Sequence, residues 1–408
     1  MHPARNTIAV LAVTQILSWG SLYYAIAVLA PHIRLETGWR AEAVLGAFSL
    51  SLLVSGLAAT PVGVLLDRHG GRLVMGAGSL VSGAGMLLLS RSHSLPVYFA
   101  AWAVLGLAMA LTMYEAAFAT INREFGARGR QAISTLTLFG GFASTVFWPL
   151  TQQLDQLLGW RDTYALYGAL QIAVCLPLHL LLAGRRPAAP AAGHGTDATA
   201  ATAAAAQAER SHTLHEALRH PAFWKLALAF AANSFIFSAM SVQLIPMFVQ
   251  FGHAPALAVA LAALVGPMQV AGRVGEMTLG RHALPQTIGK FTFAALPAAL
   301  LVLLLFGASQ WALALYCTLY GLSNGILTIV KGTLPAALFG RKNYGAIAGA
   351  LAGPALVARA AGPLAVAAII ARAPAPAVLL TVLLGFALVS LACYLAATRQ
   401  RVALVEAV

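Results

Sequence analysis

Apolar stretches long enough to cross a bilayer, about 20 residues as a helix, recur along this chain with short polar breaks between them. Twelve are predicted, at 7–31, 42–66, 73–90, 96–121, 131–154, 162–183, 222–250, 256–280, 287–307, 310–335, 344–371 and 375–397, numbered here as spans 1 to 12. Gly and Pro recur inside them, which membrane helices tolerate because neighbouring helices satisfy the freed backbone groups. One break differs from the rest. Residues 184–210, GRRPAAPAAGHGTDATAATAAAAQAER, are low-complexity Ala, Thr, Pro and Gly that cannot build a core. In SHTLHEAL (211–218), Thr213 and Glu216 stand in capping-box spacing, which predicts a short interfacial helix before Pro221. The pattern therefore divides the chain into a six-span half at 1–183, a cytoplasmic linker with a short amphipathic helix at 184–221, and a second six-span half at 222–408.

Composition makes lipid the solvent. Apolar residues are 60% of the chain and charged ones 9%, against about 25% charged in soluble domains, and the mean hydropathy is +0.81. The expected class is an all-α membrane protein. Span 1 lacks an A-x-A-like cleavage site and reads as a first span, not a signal peptide. Cys175, Cys317 and Cys393 fall in three different spans without metal-like spacing and read as packing residues. His194, His212, His215 and His220 crowd the linker, where a solvated segment is the plainer reading than a metal site. No metal or cofactor is expected.

The formal charge of +13 reports topology, not a nucleic-acid partner. Of the 25 Lys and Arg, most fall on the side shared by the N-terminus and the even-numbered hairpins, and only Arg34, Arg40, Arg91, Arg161 and Arg372 on the other. By the positive-inside rule both termini are cytoplasmic, and the expected home is a bacterial inner membrane.

The two halves echo each other. FGARGRQAI (125–133) and FGRKNYGAI (339–347) follow spans 4 and 10; Phe125, Gly126, Ala132 and Ile133 recur as Phe339, Gly340, Ala346 and Ile347. Such duplication marks a secondary transporter, with its site expected near the bilayer midplane between the halves.

After span 2 the chain reads GVLLDRHGGR (63–72). Gly63, Asp67, Arg68, Gly70 and Arg72 match the G-x-x-x-D-R-x-G-x-R signature, and the sequence resembles the major facilitator superfamily over nearly its whole length outside the linker. The resemblance implies twelve transmembrane helices in two pseudo-symmetric six-helix halves. It also implies that Asp67 sits near the N-terminal end of span 11, where the positive end of the helix dipole favours a carboxylate, and helps latch the cytoplasmic side, with Arg68 and Arg72 at that surface. Three further words, TGW (37–39), GGFASTVFWPLTQQL with GWR (140–154, 159–161) and AGRVGEMTLGR (271–281), resemble the monocarboxylate and oxalate–formate transporter branch. Two departures stand out. Animal monocarboxylate carriers have an aspartate where Gln269 stands, and a lysine in the outer half of span 1, absent near Tyr24–Pro31. Their proton–lactate coupling cannot simply be transferred.

Five ionisable residues lie within spans: Glu115, Arg273, Glu276, Lys331 and Arg359. An arginine at a helix centre costs about 3 kcal/mol on insertion scales, so such residues face a cavity and do something. Three cations against two carboxylates leave an excess that a substrate anion would neutralise. The oxalate–formate exchangers carry basic residues on spans 8 and 11, which the resemblance transfers to Arg273 and Arg359, a guanidinium being able to hold a carboxylate in bidentate fashion. The alternative for Arg273 is a same-face pair with Glu276; about 10 Å from a cytoplasmic helix end, its side chain could also snorkel. Lys331 and Glu276 are gating candidates. Glu115 is either a proton carrier or a partner of Lys331. Tyr23, Tyr114, Asn233 and Asn324 are candidate substrate contacts, with Gln15, Trp19, Tyr24, Gln243 and Tyr320 as further polar or aromatic candidates for the cavity wall.

The function expected is alternating-access transport of a small organic anion, a mono- or dicarboxylate, coupled to protons or to anion exchange. The rival is a proton-driven efflux antiporter for a drug-like compound or oxyanion. H-E-x-x-H and phosphate-loop motifs are absent from the sequence, so an enzyme or a self-contained ATP-driven pump is not expected. No obligatory protein partner is evident.

Overall fold

The structure is a computed structural model that describes residues 3–182, 211–280, 283–373 and 375–399. The predicted low-complexity linker 184–210 with His194, and Arg281, lie outside the described residues. Eleven helices among the described residues are long and apolar enough to span a membrane: α1 Asn6–Thr37, α2 Ala41–His69, α3 Gly71–Ser90, α4 Leu95–Phe125, the stretch Gly129–Leu180, α7 Pro221–Gln250, α8 Pro255–Thr278, α9 Pro285–Phe306, α10 Gln310–Phe339, α11 Tyr344–Arg372 and α12 Pro376–Arg399. The 52-residue stretch Gly129–Leu180 is two helical limbs. Gly159 takes φ 77°, ψ 167°, a left-handed conformation that favours glycine. Past it the chain turns back, for the Thr151 and Tyr167 hydroxyls lie 2.6 Å apart where 16 residues of one helix would separate them by ~24 Å. Its limbs before and after Gly159 are α5 and α6, so that the described residues supply a helix for each of the twelve expected spans.

The chain folds as two compact units: Met1–Ala217 with Pro335–Gly353, and Leu218–Leu334 with Pro354–Val408. In the first, α4 packs against both α2 and α3, around fully buried Tyr98, Trp102, Trp160, Tyr164 and Tyr167. At one end of this unit, Glu36 of α1 accepts from Trp160 Nε1 (2.6 Å) and Arg161 Nε (2.8 Å), while Arg161 also donates to the Ser90 and Ser92 carbonyls. Carbonyls left over at the α3 C-terminus thus gain a cation. His32 of α1 pairs with buried Asp155 of α5.

In the second unit α12 packs against α7 and α9, with Phe293 stacked on Tyr394 at 4.3 Å. The predicted capping box before α7 is formed in the helix Leu214–Arg219. The Thr213 amide donates to Glu216 Oε2 (2.7 Å) and the Glu216 amide to Thr213 Oγ1 (3.3 Å). The Thr213 amide holds the Glu216 carboxyl below the usual carboxylate range.

Candidate functional site

The signature hairpin meets the start of α11 inside the first unit. Asp67 Oδ1 accepts from the Gly345 amide and Oδ2 from the Ala346 amide, both at 2.8 Å. These are first-turn N–H groups, which have no partner within their own helix, and the helix dipole adds to the attraction. The approach that permits this is backbone to backbone: a Cβ on Gly63 would lie 2.0 Å from the Gly345 carbonyl oxygen, and one on Gly349 2.2 Å from that of Ala59. Arg68 and Arg72 are exposed. The cation that touches the hairpin from within is Arg123 of α4, which donates to the Leu66 carbonyl (3.0 Å) and to the Asp67 carbonyl. It caps the C-terminal end of α2 and so holds Asp67 in place. The sequence carries no signal for this role beyond a basic residue ending span 4.

Helix α4 is broken about three turns earlier. Met113 leaves the helical region (φ −82°, ψ −164°), and Gln15 of α1 donates to the Thr112 carbonyl at 2.6 Å, satisfying a group the break exposes. Tyr114 and Glu115 follow directly. Glu115 is partly exposed and, with Val62, Gly63, Gly345 and Gly349, lines a small cavity beside the α2–α11 seam. Tyr114 is buried and Tyr23 partly so; both pack on Trp19, at ring-centroid distances of 4.9 and 5.2 Å.

The basic residues gather in the second unit. Helix α8 is interrupted by a turn at Ala263–Leu264, as the ring of Pro267 clashes with a carbonyl four residues back. It then crosses α10 closely: a Cβ on Gly272 would lie 2.7 Å from the Leu322 carbonyl oxygen, and one on Gly325 2.1 Å from that of Gln269. Leu322 is near the middle of α10, so Arg273 sits deep in the unit and is 5% exposed. The snorkelling that its distance from the helix end allows does not occur. Nor does the same-face pair form: Arg273 makes no ion pair with Glu276, itself buried, and its Nε has no acceptor among the described residues.

Helix α7 collects the other two cations one turn apart. Lys331 Nζ donates to Ser234 Oγ (3.0 Å) and lies 5.8 Å from the Phe230 ring centroid; the Arg359 guanidinium lies 5.4 Å from that of Phe237. Tyr320 stacks on Phe237, and its hydroxyl donates to the Phe237 carbonyl (3.4 Å). Asn233 is buried, and its Nδ2 has no acceptor among the described residues. Lys331, Arg359, Asn233 and Asn324 are thus brought together about α7 and α10, and Ser234 and Phe237 were not foreseen. Among the described residues no three His, Cys, Asp or Glu side chains gather to hold a metal. The chemistry on offer is anion binding: guanidinium and ammonium groups with neutral hydrogen-bond donors.

Comparison with known proteins bears on this arrangement. A family model described as Major Facilitator Superfamily matches residues 11–296. The chain is 36% identical to rat monocarboxylate transporter 3 over 115 residues, 28% of this chain and 23% of that protein. It is 29% identical to human monocarboxylate transporter 6 over 115 residues, 28% and 22% respectively. The matches therefore span about a quarter of the length of these relatives. Among solved structures, the human organic anion transporter MFSD10 (TETRAN) aligns with a TM-score of 0.74 at 16% identity, over 97% of this chain and 100% of that one. The transporter FucP in its outward conformation aligns with a TM-score of 0.68 at 14% identity, over 96% and 98%. At such identities these structures speak to the fold alone.

Proposed function

Because the chain belongs to the major facilitator superfamily, whose members are membrane transporters and not enzymes, we propose that it moves a small organic anion, a mono- or dicarboxylate, by alternating access. The observation that carries this reading is Arg273, buried deep in its unit with no described ion-pair partner. An unpaired buried charge costs several kcal/mol, and a carboxylate that accepted from two N–H groups along one edge of the planar guanidinium would offset much of it. Arg359, Lys331, Asn233 and Asn324 supply further donors in the same unit. The names of the relatives, monocarboxylate transporters, point the same way. Tyr23 and Tyr114 remain contacts for the substrate in this reading.

Asp67 latches the start of α11 to α2, with Arg123 positioning it and Arg68 and Arg72 at the surface. Lys331 and Glu276 act as gating residues. Glu115, in its cavity beside the seam, is the proton-coupling group; anion exchange is the other coupling open to the protein. The site of action is a bacterial inner membrane, with both termini cytoplasmic.

Uptake into proteoliposomes tests the reading. Wild type should accumulate labelled lactate, benzoate or oxalate, and Arg273→Gln should cut this at least tenfold. Arg273→Lys should recover only part, since an ammonium cannot bind in bidentate fashion. If Glu115 carries the proton, Glu115→Gln abolishes the acceleration by a pH gradient and spares exchange against internal anion. If no acid enters, and lipophilic cations are moved equally by wild type and Arg273→Gln, the efflux reading takes its place.

A further inference from the structure

The C-terminal half of α1 is held in the first unit by side chains as much as by its own ladder. Residues Trp19–Tyr24 form a π-helical turn, closed by the Ala25 amide donating to the Gly20 carbonyl. Pro31 follows inside the helix and lacks the amide that would donate to the Ala27 carbonyl. Such π turns and prolines are where long helices bend. Beyond the π turn, Ala25–Thr37 packs on α2 and on Ala143–Leu170 of α5 and α6.

Two contacts one turn apart fix its end. Glu36 accepts from Trp160 Nε1 and Arg161 Nε, and neither donor gives up its proton in the physiological range. His32 is exposed, and its Nδ1 pairs with Oδ2 of Asp155, whose side chain is 3% exposed. Histidine ordinarily gains and loses its charge between about pH 5 and 8. One contact is therefore permanent and the other conditional.

No second cation stands by for Asp155. On α1, Arg34 is exposed and Glu36 is taken. After the α5–α6 turn, Arg161 is spent on Glu36 and on the Ser90 and Ser92 carbonyls, and Asp162 is exposed. At the start of α2, exposed Arg40 pairs with exposed Glu42 at 3.5 Å. Past the end of α3, Arg91 and His93 are exposed. Among the described residues His32 is the sole ion-pair partner of Asp155. With a neutral imidazole, Asp155 keeps a buried charge without a cation, at a cost of several kcal/mol, until the end of α1 lets water in.

We propose that His32 and Asp155 are a proton-binding site, distinct from Glu115, at the end of the unit opposite the Asp67 latch. A proton taken from the medium there clasps the end of α1 to α5, and its loss releases that end about Pro31 and the π turn. The acidity of one compartment thereby sets how firmly α1 is held, whichever anion is carried.

Hydrogen exchange on the full-length protein in nanodiscs tests this, with rates corrected for the intrinsic effect of pH. From about pH 5 to 8, protection of the Ile33–Thr37 amides should fall roughly tenfold, while that of Tyr164–Gly168 in α6 should not change. His32→Arg, charged at every pH used, should stay protected throughout. His32→Gln should be as weakly protected at acid pH as wild type is at alkaline pH. Asp155→Asn, which removes the buried charge, should lose the pH response. If that variant fails to fold, the two His32 variants, at an exposed position, decide alone. A wild-type profile that is flat with pH overturns the proposal. So does a pH response of full size in His32→Arg, which puts the titrating group elsewhere. Exchange reads α1 directly and not transport, so failure here leaves the anion reading standing.

Discussion

Asp67 and Arg273 are each a charge set into the apolar helices of one unit, and the protein treats them in opposite ways. Asp67 has both carboxylate oxygens satisfied by amides at the start of α11, at 2.8 Å each, over a seam where glycines let the backbones touch. Arg273 is more deeply buried, lies one residue from an equally close backbone crossing, and forms no ion pair among the described residues. Close helix packing is therefore not what satisfies a buried charge; the groups it brings near are. At the α2–α11 seam those groups are unpaired amides, and the charge stabilises the fold. At the α8–α10 crossing they are carbonyls and an apolar side chain, and the charge has no ion-pair partner among the described residues.

The contrast can be broken or sharpened by substitution. The largest effect is expected from Gly63→Val, whose Cβ would meet the Gly345 carbonyl at 2.0 Å. Neither partner is a flexible side-chain end, so the seam should part at a cost of about 3 kcal/mol, read as a collapse in yield of monodisperse protein. Asp67→Ala comes next. Removing two hydrogen bonds to a charged group costs about 2 kcal/mol, and hydrogen exchange at the Gly345 and Ala346 amides should quicken roughly thirtyfold. Arg273→Gln should show the opposite sign. Losing an unpaired buried charge should leave the ligand-free protein as stable as wild type or more stable by about 1 kcal/mol. A clear drop in melting temperature there would mean that Arg273 is a structural residue like Asp67.

The smallest effect concerns the linker helix Leu214–Arg219. Its Glu216 titrates lower than in an unfolded chain, held by the Thr213 amide. The capping box is therefore fully made above the unfolded value of ~4.3 and is lost as pH falls through the lower native one. Acidification should raise exchange of the Thr213 and Glu216 amides, once corrected for intrinsic rate, and leave α7 unchanged.

Local chemistry was readable from the sequence, and tertiary geometry was not. The capping box and the Asp67 signature are short spacings whose meaning lies in their own turn of chain and in one helix end. The twelve crossings followed from apolar length alone. The break at Met113 carries neither Pro nor Gly, and it exists because Gln15, 97 residues from Thr112, donates a hydrogen bond to the freed carbonyl. The π turn at Trp19–Tyr24 likewise has no local signature. The sequence suggested that Arg273 could snorkel because distance from a helix end measures depth only in an upright helix. Gly272, Gly321 and Gly325 let α8 cross α10 near its middle, and the depth of Arg273 follows from that crossing. Arg123 read as one more cytoplasmic charge, since the carbonyls it caps lie on α2.

The central claim is that Arg273 has no ion-pair partner among the described residues because it serves an anion, and ligand-induced thermal stabilisation tests it most directly. Purified wild type and Arg273→Gln are melted with mono- and dicarboxylates, aryl acids included, beside lipophilic cations. A ligand at 100 times its Kd stabilises by ~2.7 kcal/mol, which a melting curve resolves. The account predicts that at least one carboxylate raises the wild-type melting temperature, that Arg273→Gln loses this response, and that cations do nothing. Stabilisation by cations alone, equal in wild type and Arg273→Gln, would contradict it.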